Sequence, residues 1–503
     1  MTVLAAHEIV RYLEGRGVTK VFGLCGHTVI AMLEALSGSE RIEFVNVRHE
    51  QIASHAADGY ARVTHRASVV LTHLGPGLTN AATGVANAAL DSIPVVVIAG
   101  DVPTHYFGKH PHQEVNHHAD ADQWQIYRPF VKRAFRVERA ELLPEILDRA
   151  FVIAESGRPG PVLVDVPMDL FSLPIEAALV DRALANHIDY APPALDVATA
   201  ERIVTSLAAA EHPLVYAGGG VLSACASEEL TTLVDLLDLP VAHSLMGKGA
   251  VSDDNPHVLG MSGFWGMPFT NQMCRGADWI LGLGTRFAEA DSSSWYEDFT
   301  FRMPPTKLIQ IDIDPEQIGR NYPVEIGAVA DLKSALTTLL EAARRLYPRG
   351  VVREGVTGTI LAERAARKEA EKRAADLAAQ IKAAEDAGKT EAQKQAETLK
   401  SLQADLAAMR AEKERAEVAA KTGVPVDILA GPGDDPAAWA EQVKAWAAEQ
   451  AKPTEAPAQP VVRHHGNPSG AGAASLDERI AAAEAAGDRT LTASLKALKL
   501  GSR

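Results

Sequence analysis

The sequence predicts an α/β protein with two doubly wound parallel-sheet domains, followed by a long helical, partly disordered C-terminal tail. Three observations lead to this fold class. Helix and strand patterns alternate up to about residue 347, the strand patterns are short and continuously apolar, and the composition changes abruptly near residue 350. Continuous apolar runs such as residues 93–100 are typical of parallel strands that helices cover on both faces.

The same patterns divide the chain into segments. The two α/β domains are expected over residues 1–180 and 195–347, with a linker without clear periodicity over 181–194. A stretch rich in Ala, Glu, Lys and Arg follows, which is typical of long helices. The tail is predicted as a helical or coiled-coil segment over 359–421, a short helical patch over 422–450, a disordered linker over 451–475 and a C-terminal helix over 476–503.

Composition limits the classes of partner. A formal net charge of −16 disfavours a nucleic-acid or anionic membrane surface, and no apolar run has the roughly eighteen residues that a membrane span needs. The three cysteines, Cys25, Cys225 and Cys274, are far apart and include no CxxC pair, so neither a disulfide framework nor a zinc site is indicated. Charged residues interrupt the first apolar pattern and exclude a signal peptide, so a reducing cytoplasm is the expected location.

The stretch from Val45 to Gly84 carries the strongest functional signal. The apolar pattern IEFVNV ends shortly before Glu50, where a helix pattern begins. The next strand pattern ends at Gly75-Pro76-Gly77, which predicts a second strand-to-helix turn beside the first. Ligands of open α/β sheets bind at the carboxyl ends of strands, so a carboxylate is expected at the edge of a crevice. An isolated glutamate at this position more often serves only to complement the helix dipole.

Two motifs in this stretch, RHEQIASHAADGYAR and GPGLTNAATGVANAALDSIPVVVIAG, resemble the pyrimidine-binding domain of thiamine-diphosphate-dependent enzymes, in their acetolactate-synthase-like branch. The resemblance implies thiamine diphosphate as cofactor and a 2-oxo acid as substrate, in decarboxylation or carboligation. It implies that Glu50 hydrogen-bonds N1′ of the aminopyrimidine and favours the imino tautomer, whose nitrogen takes the proton from thiazolium C2. The matching cofactor-binding positions are Gly26, Gly75, Gly77 and Asn80.

The histidine-rich loop from His105 to Trp124 allows two interpretations. Its imidazoles and carboxylates could bind a metal, although their spacing matches no ligand pattern. The resemblance instead implies that Gln113 lies near cofactor and substrate. Acetolactate synthases have phenylalanine where this chain has His112, and lysine where it has Met168. Both differences lie where the substrate is expected to bind. The resemblance therefore implies thiamine diphosphate chemistry, while acetolactate synthesis as the particular reaction stays open.

The second domain contains the strings MGKGAV, GLGTRF and IDIDPEQIGRN, which resemble the family's central domain. In acetolactate synthases this domain holds FAD, and the matching positions here are Arg286, Asp312 and Asp314. FAD is therefore possible, although many relatives keep the domain without it. The glycines at 218–220 do not form the GxGxxG fingerprint, and a tight strand-to-helix turn explains them more simply.

A third domain of this family holds the diphosphate through Mg²⁺, with a GDG motif and a later asparagine. The sequence contains no such element, so the chain is expected to form a homo-oligomer or to associate with a partner chain that carries a diphosphate-binding domain and holds the diphosphate and Mg²⁺. Turnover by this chain alone is therefore expected to be negligible.

The tail offers an alternative function. Leu399, Leu402, Leu406 and Met409 are spaced three and four residues apart, as in a heptad seam. In composition and order the tail resembles the coiled-coil regions of bacteriophage head-scaffolding proteins. The alternative is a non-catalytic scaffold-like or fusion protein that oligomerises through its C-terminal helices. A single solvated helix is the simpler interpretation of the same pattern.

Overall fold

The structure is a computed structural model. It describes residues 2–115, 122–186, 191–297, 299–388, 391–424, 426, 429 and 435–450. Among these, the residues up to Glu363 form one compact unit and those from Arg364 onward belong to a second, and each unit is described by itself. The predicted disordered linker over 451–475 and the predicted helix over 476–503 lie outside the described residues.

The first α/β domain is built on a six-stranded sheet. Its strands and those of a small ribbon are β1 (Thr2–Leu4), β2 (Lys20–Gly23), β3 (Glu43–Asn46), β4 (Ser68–Thr72), β5 (Val95–Asp101), β6 (Arg133–Arg136), β7 (Val162–Pro167) and β8 (Pro174–Glu176). The sheet order is β3-β2-β4-β5-β7-β6 with all neighbours parallel, while β1 and β8 pair antiparallel.

Helices cover both faces of this sheet. They are α1 (Ala5–Gly15), α2 (Ile30–Ser37), α3 (Glu50–Thr64), α4 (Pro76–Asp91), α5 (Gln123–Tyr127), α6 (Leu143–Glu155), α7 (Met168–Phe171) and α8 (Ala177–Ala185). Strands β4, β5 and β7 are buried along their whole length. Val69 and Leu71 pack into one core layer and Val70 into the opposite one, which explains the continuous apolar runs.

The second domain repeats this architecture. Its strands are β9 (Pro213–Ala217), β10 (Val241–His243), β11 (Val258–Met261), β12 (Trp279–Leu283), β13 (Lys307–Asp312) and β14 (Ile326–Val329). They form a parallel sheet in the order β11-β10-β9-β12-β13-β14. Its helices are α9 (Val197–Ala209), α10 (Gly219–Ser223), α11 (Ser227–Leu237), α12 (Pro268–Gly276) and α13 (Leu332–Leu346). The predicted fold class is confirmed for both domains.

The predicted linker over 181–194 begins later than expected. Helix α8 continues to Ala185, because Val180 and Ala183 belong to the buried core of the first domain. These two residues are three positions apart, as one face of a helix requires. The first residues of the predicted linker are therefore the last turn of a domain helix.

Helices α3 and α4 pack unusually closely. A Cβ atom on Gly84 would lie 2.2 Å from Ser54 Oγ, so only glycine fits at this crossing. Arg62 bridges the two helices, with ion pairs of 2.7 Å to Asp58 on α3 and 2.7 Å to Asp91 on α4. Because both helices begin at the same edge of the sheet, this contact fixes the distance between their N-terminal residues.

The tail is helical, as predicted, with α14 (Val356–Gly388), α15 (Glu391–Thr422) and α16 (Pro436–Gln450). Helix α14 begins before the predicted boundary at 359, since Val356 and Ile360 pack into the core of the second domain. No described helix is both long and apolar enough to cross a membrane.

Arg353 anchors the segment that leads into the tail. Its guanidinium donates to the carbonyl oxygens of Leu207, at 2.6 Å, and Leu237. These residues lie in the last turns of α9 and α11, where carbonyl groups lack intrahelical partners. The side chain therefore closes the C-terminal ends of two helices at once.

Candidate functional site

Glu50 is the first residue of α3 and lies at the carboxyl end of β3. His49 precedes the helix in extended backbone, and its Nδ1 accepts from the Gln51 N–H at 3.2 Å. Glu50 is 6% exposed, and its Oε2 accepts a hydrogen bond of 3.0 Å from Asn80 Nδ2 on α4. No hydrogen bond to its Oε1 occurs among the described residues. The site therefore contains a buried carboxylate with one oxygen held and the other available.

The second strand-to-helix turn borders this carboxylate. A Cβ atom on Gly77 would lie 3.3 Å from Glu50 Oε1 and 3.0 Å from His73 Cβ. Pro76 is the first residue of α4, a position where its missing N–H costs no hydrogen bond. The absence of a side chain at Gly77 keeps the space between Glu50 and His73 open.

The turn after β2 forms the opposite wall. A Cβ atom on Gly26 would lie 2.5 Å from His73 Cβ, so this turn approaches the histidine through backbone alone. The rings of His27 and His73 lie 4.6 Å apart in an edge-to-face arrangement. Burial, and then the neighbouring His73 and His112, lower the pKa of His27, which keeps the ring neutral at physiological pH.

Gln113 is pressed against the second turn by its backbone. A Cβ atom on Gly75 would lie 2.0 Å from the Gln113 carbonyl oxygen, and Gly75 itself has φ +39°. Gln113 has φ +66°, a left-handed conformation that is uncommon for a residue with a side chain. Its Oε1 lies 2.9 Å from His73 Nε2. Backbone and side chain are thus both attached to the turn that carries His73.

Two polar side chains hold this loop and turn in place. Thr104, where the loop begins, donates its N–H to Asp169 Oδ1 at 3.0 Å. Gln123 accepts from the Gly75 N–H at 2.7 Å and donates to Asp165 Oδ1 at 2.6 Å. The second turn is therefore tied to the carboxyl end of β7 through one buried amide.

Buried carboxyl groups lie beneath the loop. Burial raises the pKa of Asp165, and proximity to Asp101 raises it further. Burial likewise raises the pKa of Asp101 and of Glu114. No group of three His, Cys, Asp or Glu suited to a metal ion occurs in the part of the chain that the structure describes, which includes only residues 105–115 and 122–124 of the histidine-rich loop.

The structure thus brings six of the predicted site residues to one edge of the first sheet. They are Gly26, Glu50, Gly75, Gly77, Asn80 and Gln113. Thr28, His73 and Gln123 also belong to this group but were not predicted from the sequence. His73 had a usable signal, because it directly follows the buried strand β4 and precedes the glycine turn. No sequence pattern pointed to Gln123, because its hydrogen-bond partners, Gly75 and Asp165, are distant in sequence.

The other three predicted positions, Arg286, Asp312 and Asp314, lie apart from this group. Arg286 and Asp312 line a cavity of about 280 Å³ between the two domains, to which the first domain contributes Arg158. Arg158 pairs with Asp314 at 3.2 Å and donates to Ser92 Oγ at 2.8 Å. No hydrogen bond or ion pair to the Arg286 guanidinium occurs among the described residues.

Electrostatics in this cavity are mixed. Burial, and then Arg158, lower the pKa of Arg286, while burial raises the pKa of Asp312 to about 6. Burial also acts to raise the pKa of Asp314, but hydrogen bonds from Gln317, the Glu316 N–H and Arg158 lower it below its ordinary value. The lining therefore combines two guanidinium groups with the carboxyl groups of Asp91, Glu155, Asp291, Asp312 and Asp331.

The glycine triplet beside the cavity serves packing. A Cβ atom on Gly218 would lie 2.1 Å from the Gly284 carbonyl oxygen, and one on Gly220 would lie 2.7 Å from Gly284 Cα. The turn after β9 therefore touches the turn after β12 through backbone alone. This contact agrees with the tight-turn interpretation of the triplet.

The fold and the carboxylate at the strand edge agree with the comparison with known families. Residues 4–121 match the N-terminal TPP binding domain of thiamine pyrophosphate enzymes, and residues 200–339 match their central domain. The chain therefore belongs to the thiamine pyrophosphate (thiamine diphosphate) enzyme family.

Its similarity within that family is to acetolactate synthases. The chain is 36% identical over 344 residues to a probable acetolactate synthase large subunit of Methanocaldococcus jannaschii, covering 67% of this chain and 56% of that protein. It is 38% identical over 337 residues to the acetolactate synthase isozyme 3 large subunit of Escherichia coli K12, covering 67% and 57%. The chain thus spans just over half the length of these relatives. The predicted resemblance is confirmed.

The contact between Gly75 and Gln113 leads to a first prediction. We expect Gly75→Ala to displace the Gln113 backbone and to increase amide hydrogen exchange in residues 104–115 by about tenfold or more. Gly108→Ala is the matched control, because Gly108 also has positive φ, +76°, but a Cβ atom there would have no neighbour within 4 Å. If amide hydrogen exchange increased equally in both variants, backbone strain at the substituted glycine, and not the contact between Gly75 and Gln113, would explain the increase.

Proposed function

We propose that this chain supplies the aminopyrimidine half of a thiamine diphosphate site that acts on a 2-oxo acid by decarboxylation or carboligation. The observation that carries the proposal is the buried Glu50 carboxylate, with one oxygen held by Asn80 and the other facing the space that Gly77 leaves open. When bound, thiamine diphosphate supplies the carbanion chemistry.

The residues fit the aminopyrimidine ring. A carboxyl group can both give and accept a proton at a ring nitrogen, and the Glu50 side chain that would do so is only 6% exposed. Asn80 fixes the orientation of the carboxylate because its amide N–H occupies Oε2. Gly77 leaves the space beside Glu50 Oε1 without a side chain, the turn at Gly26 contacts His73 on the other side, and Gln113 is hydrogen-bonded to His73.

We propose that the diphosphate and its Mg²⁺ are held by another polypeptide segment, on a partner chain or in an assembly of several chains. The matched family regions are the N-terminal binding domain and the central domain, and these relatives continue beyond the matched part. Charge-assisted hydrogen bonds and metal ligation contribute most of the affinity for a diphosphate. Residues 1–347 are therefore expected to recognise the ring and to bind the phosphates weakly.

A comparison of ligands tests this division. We expect thiamine and thiamine diphosphate to bind the chain with dissociation constants within about threefold of each other, with or without Mg²⁺, in isothermal titration calorimetry. Glu50→Gln should weaken both by about tenfold or more, because a hydrogen bond to a charged group contributes about 1.5–3 kcal/mol.

The matched control is Glu43→Gln, which changes an exposed glutamate of the same domain that pairs with Lys20. If thiamine diphosphate bound much more tightly than thiamine, and only in the presence of Mg²⁺, this chain itself would hold the diphosphate. If the Glu50 and Glu43 variants bound thiamine and thiamine diphosphate equally well, Glu50 would not be part of the binding site.

A second ligand is proposed for the cavity between the domains. We propose FAD, because the Arg286 guanidinium, which has no partner among the described residues, can pair with a phosphate group. Asp312 and Asp314 lie at the end of β13, where a ribose or phosphate would approach the sheet edge.

Flavin fluorescence quenching measures this binding. We expect Arg286→Ala to weaken FAD binding by about tenfold, whereas substitution of the exposed Arg320 by Ala should not change it.

The affinity for FAD should also depend on pH. The pKa of Asp312 is about 6, and ionisation above that pH adds negative charge beside the phosphates and lowers the affinity. Asp312→Asn should flatten the profile between about pH 5 and 7. Binding unaffected by Arg286→Ala would contradict the assignment.

Association through the tail is the alternative function. Leu399, Leu402, Leu406 and Met409 on α15 are each at least half exposed, with Leu406 the least exposed at 50%. We propose that this stripe pairs with its counterpart on a second copy, because heptad seams bury leucines between helices.

Sedimentation analysis tests this pairing. The double substitution Leu402→Glu and Leu406→Glu should shift the chain toward monomer, since it places charges in the seam. Ala404→Glu with Ala407→Glu adds the same charge elsewhere on the exposed helix and should leave the assembly intact. An unchanged distribution in the leucine variant would favour a single solvated helix.

A further inference from the structure

A chain of hydrogen bonds runs from the turn after β2 to the amide of Gln113. The Leu74 N–H donates to Thr28 Oγ1 at 3.2 Å. Thr28 Oγ1 lies 2.9 Å from His73 Nδ1, and His73 Nε2 lies 2.9 Å from Gln113 Oε1. Thr28 and His73 are only 1% and 8% exposed, so the hydrogen bond between them is shielded from water, whereas Gln113 is exposed.

The direction of each proton follows from the donors and acceptors present. Thr28 Oγ1 already accepts from Leu74, and among the described residues the acceptor within reach of its hydroxyl proton is His73 Nδ1. Because a buried hydroxyl must donate, Nδ1 is the acceptor and the ring proton sits on Nε2. His73 Nε2–H therefore donates to the Gln113 Oε1 carbonyl oxygen.

The consequence for Gln113 is a fixed amide. The terminal torsion of a glutamine is broad and nearly two-fold, so without a partner the amide presents either its oxygen or its nitrogen. Here the oxygen is held by His73, and both N–H donors remain without a partner among the described residues. The left-handed backbone of Gln113, pressed against Gly75, restricts the rest of the side chain.

We propose that Thr28 and His73 are positioning residues that orient the Gln113 amide so that it offers N–H donors to the substrate. The site then selects a substrate with an acceptor oxygen at this point, such as the carboxylate or carbonyl of a 2-oxo acid. This inference rests on the proposed function for the substrate, while the orientation itself depends only on the chain.

Histidine tautomers provide a direct test in the full chain. With ¹⁵N-labelled histidine, long-range proton–nitrogen correlation spectra should show His73 protonated on Nε2, its signal being assigned by loss in His73→Phe. Thr28→Val keeps the shape of the side chain but removes the hydroxyl, and should shift the ¹⁵N signal of His73 Nδ1, because that nitrogen loses the hydrogen bond that it accepts. Thr28→Ser keeps the hydroxyl and should retain the wild-type signal.

His243 and His257, which lie in the second domain, report whether each variant folds, because their signals should not change. Protonation of His73 on Nδ1 in the wild-type chain, or identical His73 signals in the valine and serine variants, would overturn the proposed orientation.

Pyruvate titration in the presence of thiamine tests the role toward substrate. The midpoint of the shift of the His73 signal should be the same in wild type and Thr28→Ser, and about tenfold higher in Thr28→Val. Equal midpoints in the two variants would contradict that role. Thiamine binding that does not depend on Glu50 would overturn the proposed function, yet the tautomer result would stand.

Discussion

The close crossing of α3 and α4 determines the geometry of the candidate site. Gly84 lets α4 approach Ser54 to a distance that no other residue permits, and Arg62 joins Asp58 to Asp91 across the same contact. Because Glu50 begins α3 and Asn80 lies in the first turns of α4, this packing sets the hydrogen bond between them. Because the hydrogen bond is 3.0 Å long, a helix shift of about one ångström along it would take Asn80 out of hydrogen-bond range of the carboxylate.

At the walls of the candidate site, the backbone of three glycines, rather than packed side chains, contacts the neighbouring residues. Gly26, Gly75 and Gly77 each bring a strand-end turn against a neighbour that a Cβ atom would displace. The walls are therefore rigid, and the few side chains between them, Glu50 and His73, have fixed positions. Such preorganisation is the contribution that a protein makes when the cofactor carries the chemistry.

Periodicity and motif order predicted the sheets, the helical tail and the grouping of Glu50 with Asn80, because these depend on local pattern. Strands β6, β11 and β14 were not predicted individually, since each is a four-residue strand at the edge of its sheet. Gln123 and Thr28 were missed because their partners arise from tertiary approach, which one sequence does not encode locally. Arg158 was missed for the same reason, since it reaches Asp314 from another domain.

Arg353 gives the molecule a mechanical property. Its guanidinium binds carbonyl groups at the ends of both α9 and α11, and its N–H donates to Asp238 Oδ2 at 2.5 Å. The chain that leads into the tail is thereby fastened to two of the helices that cover the second sheet, and one side chain couples the position of α9 to that of α11.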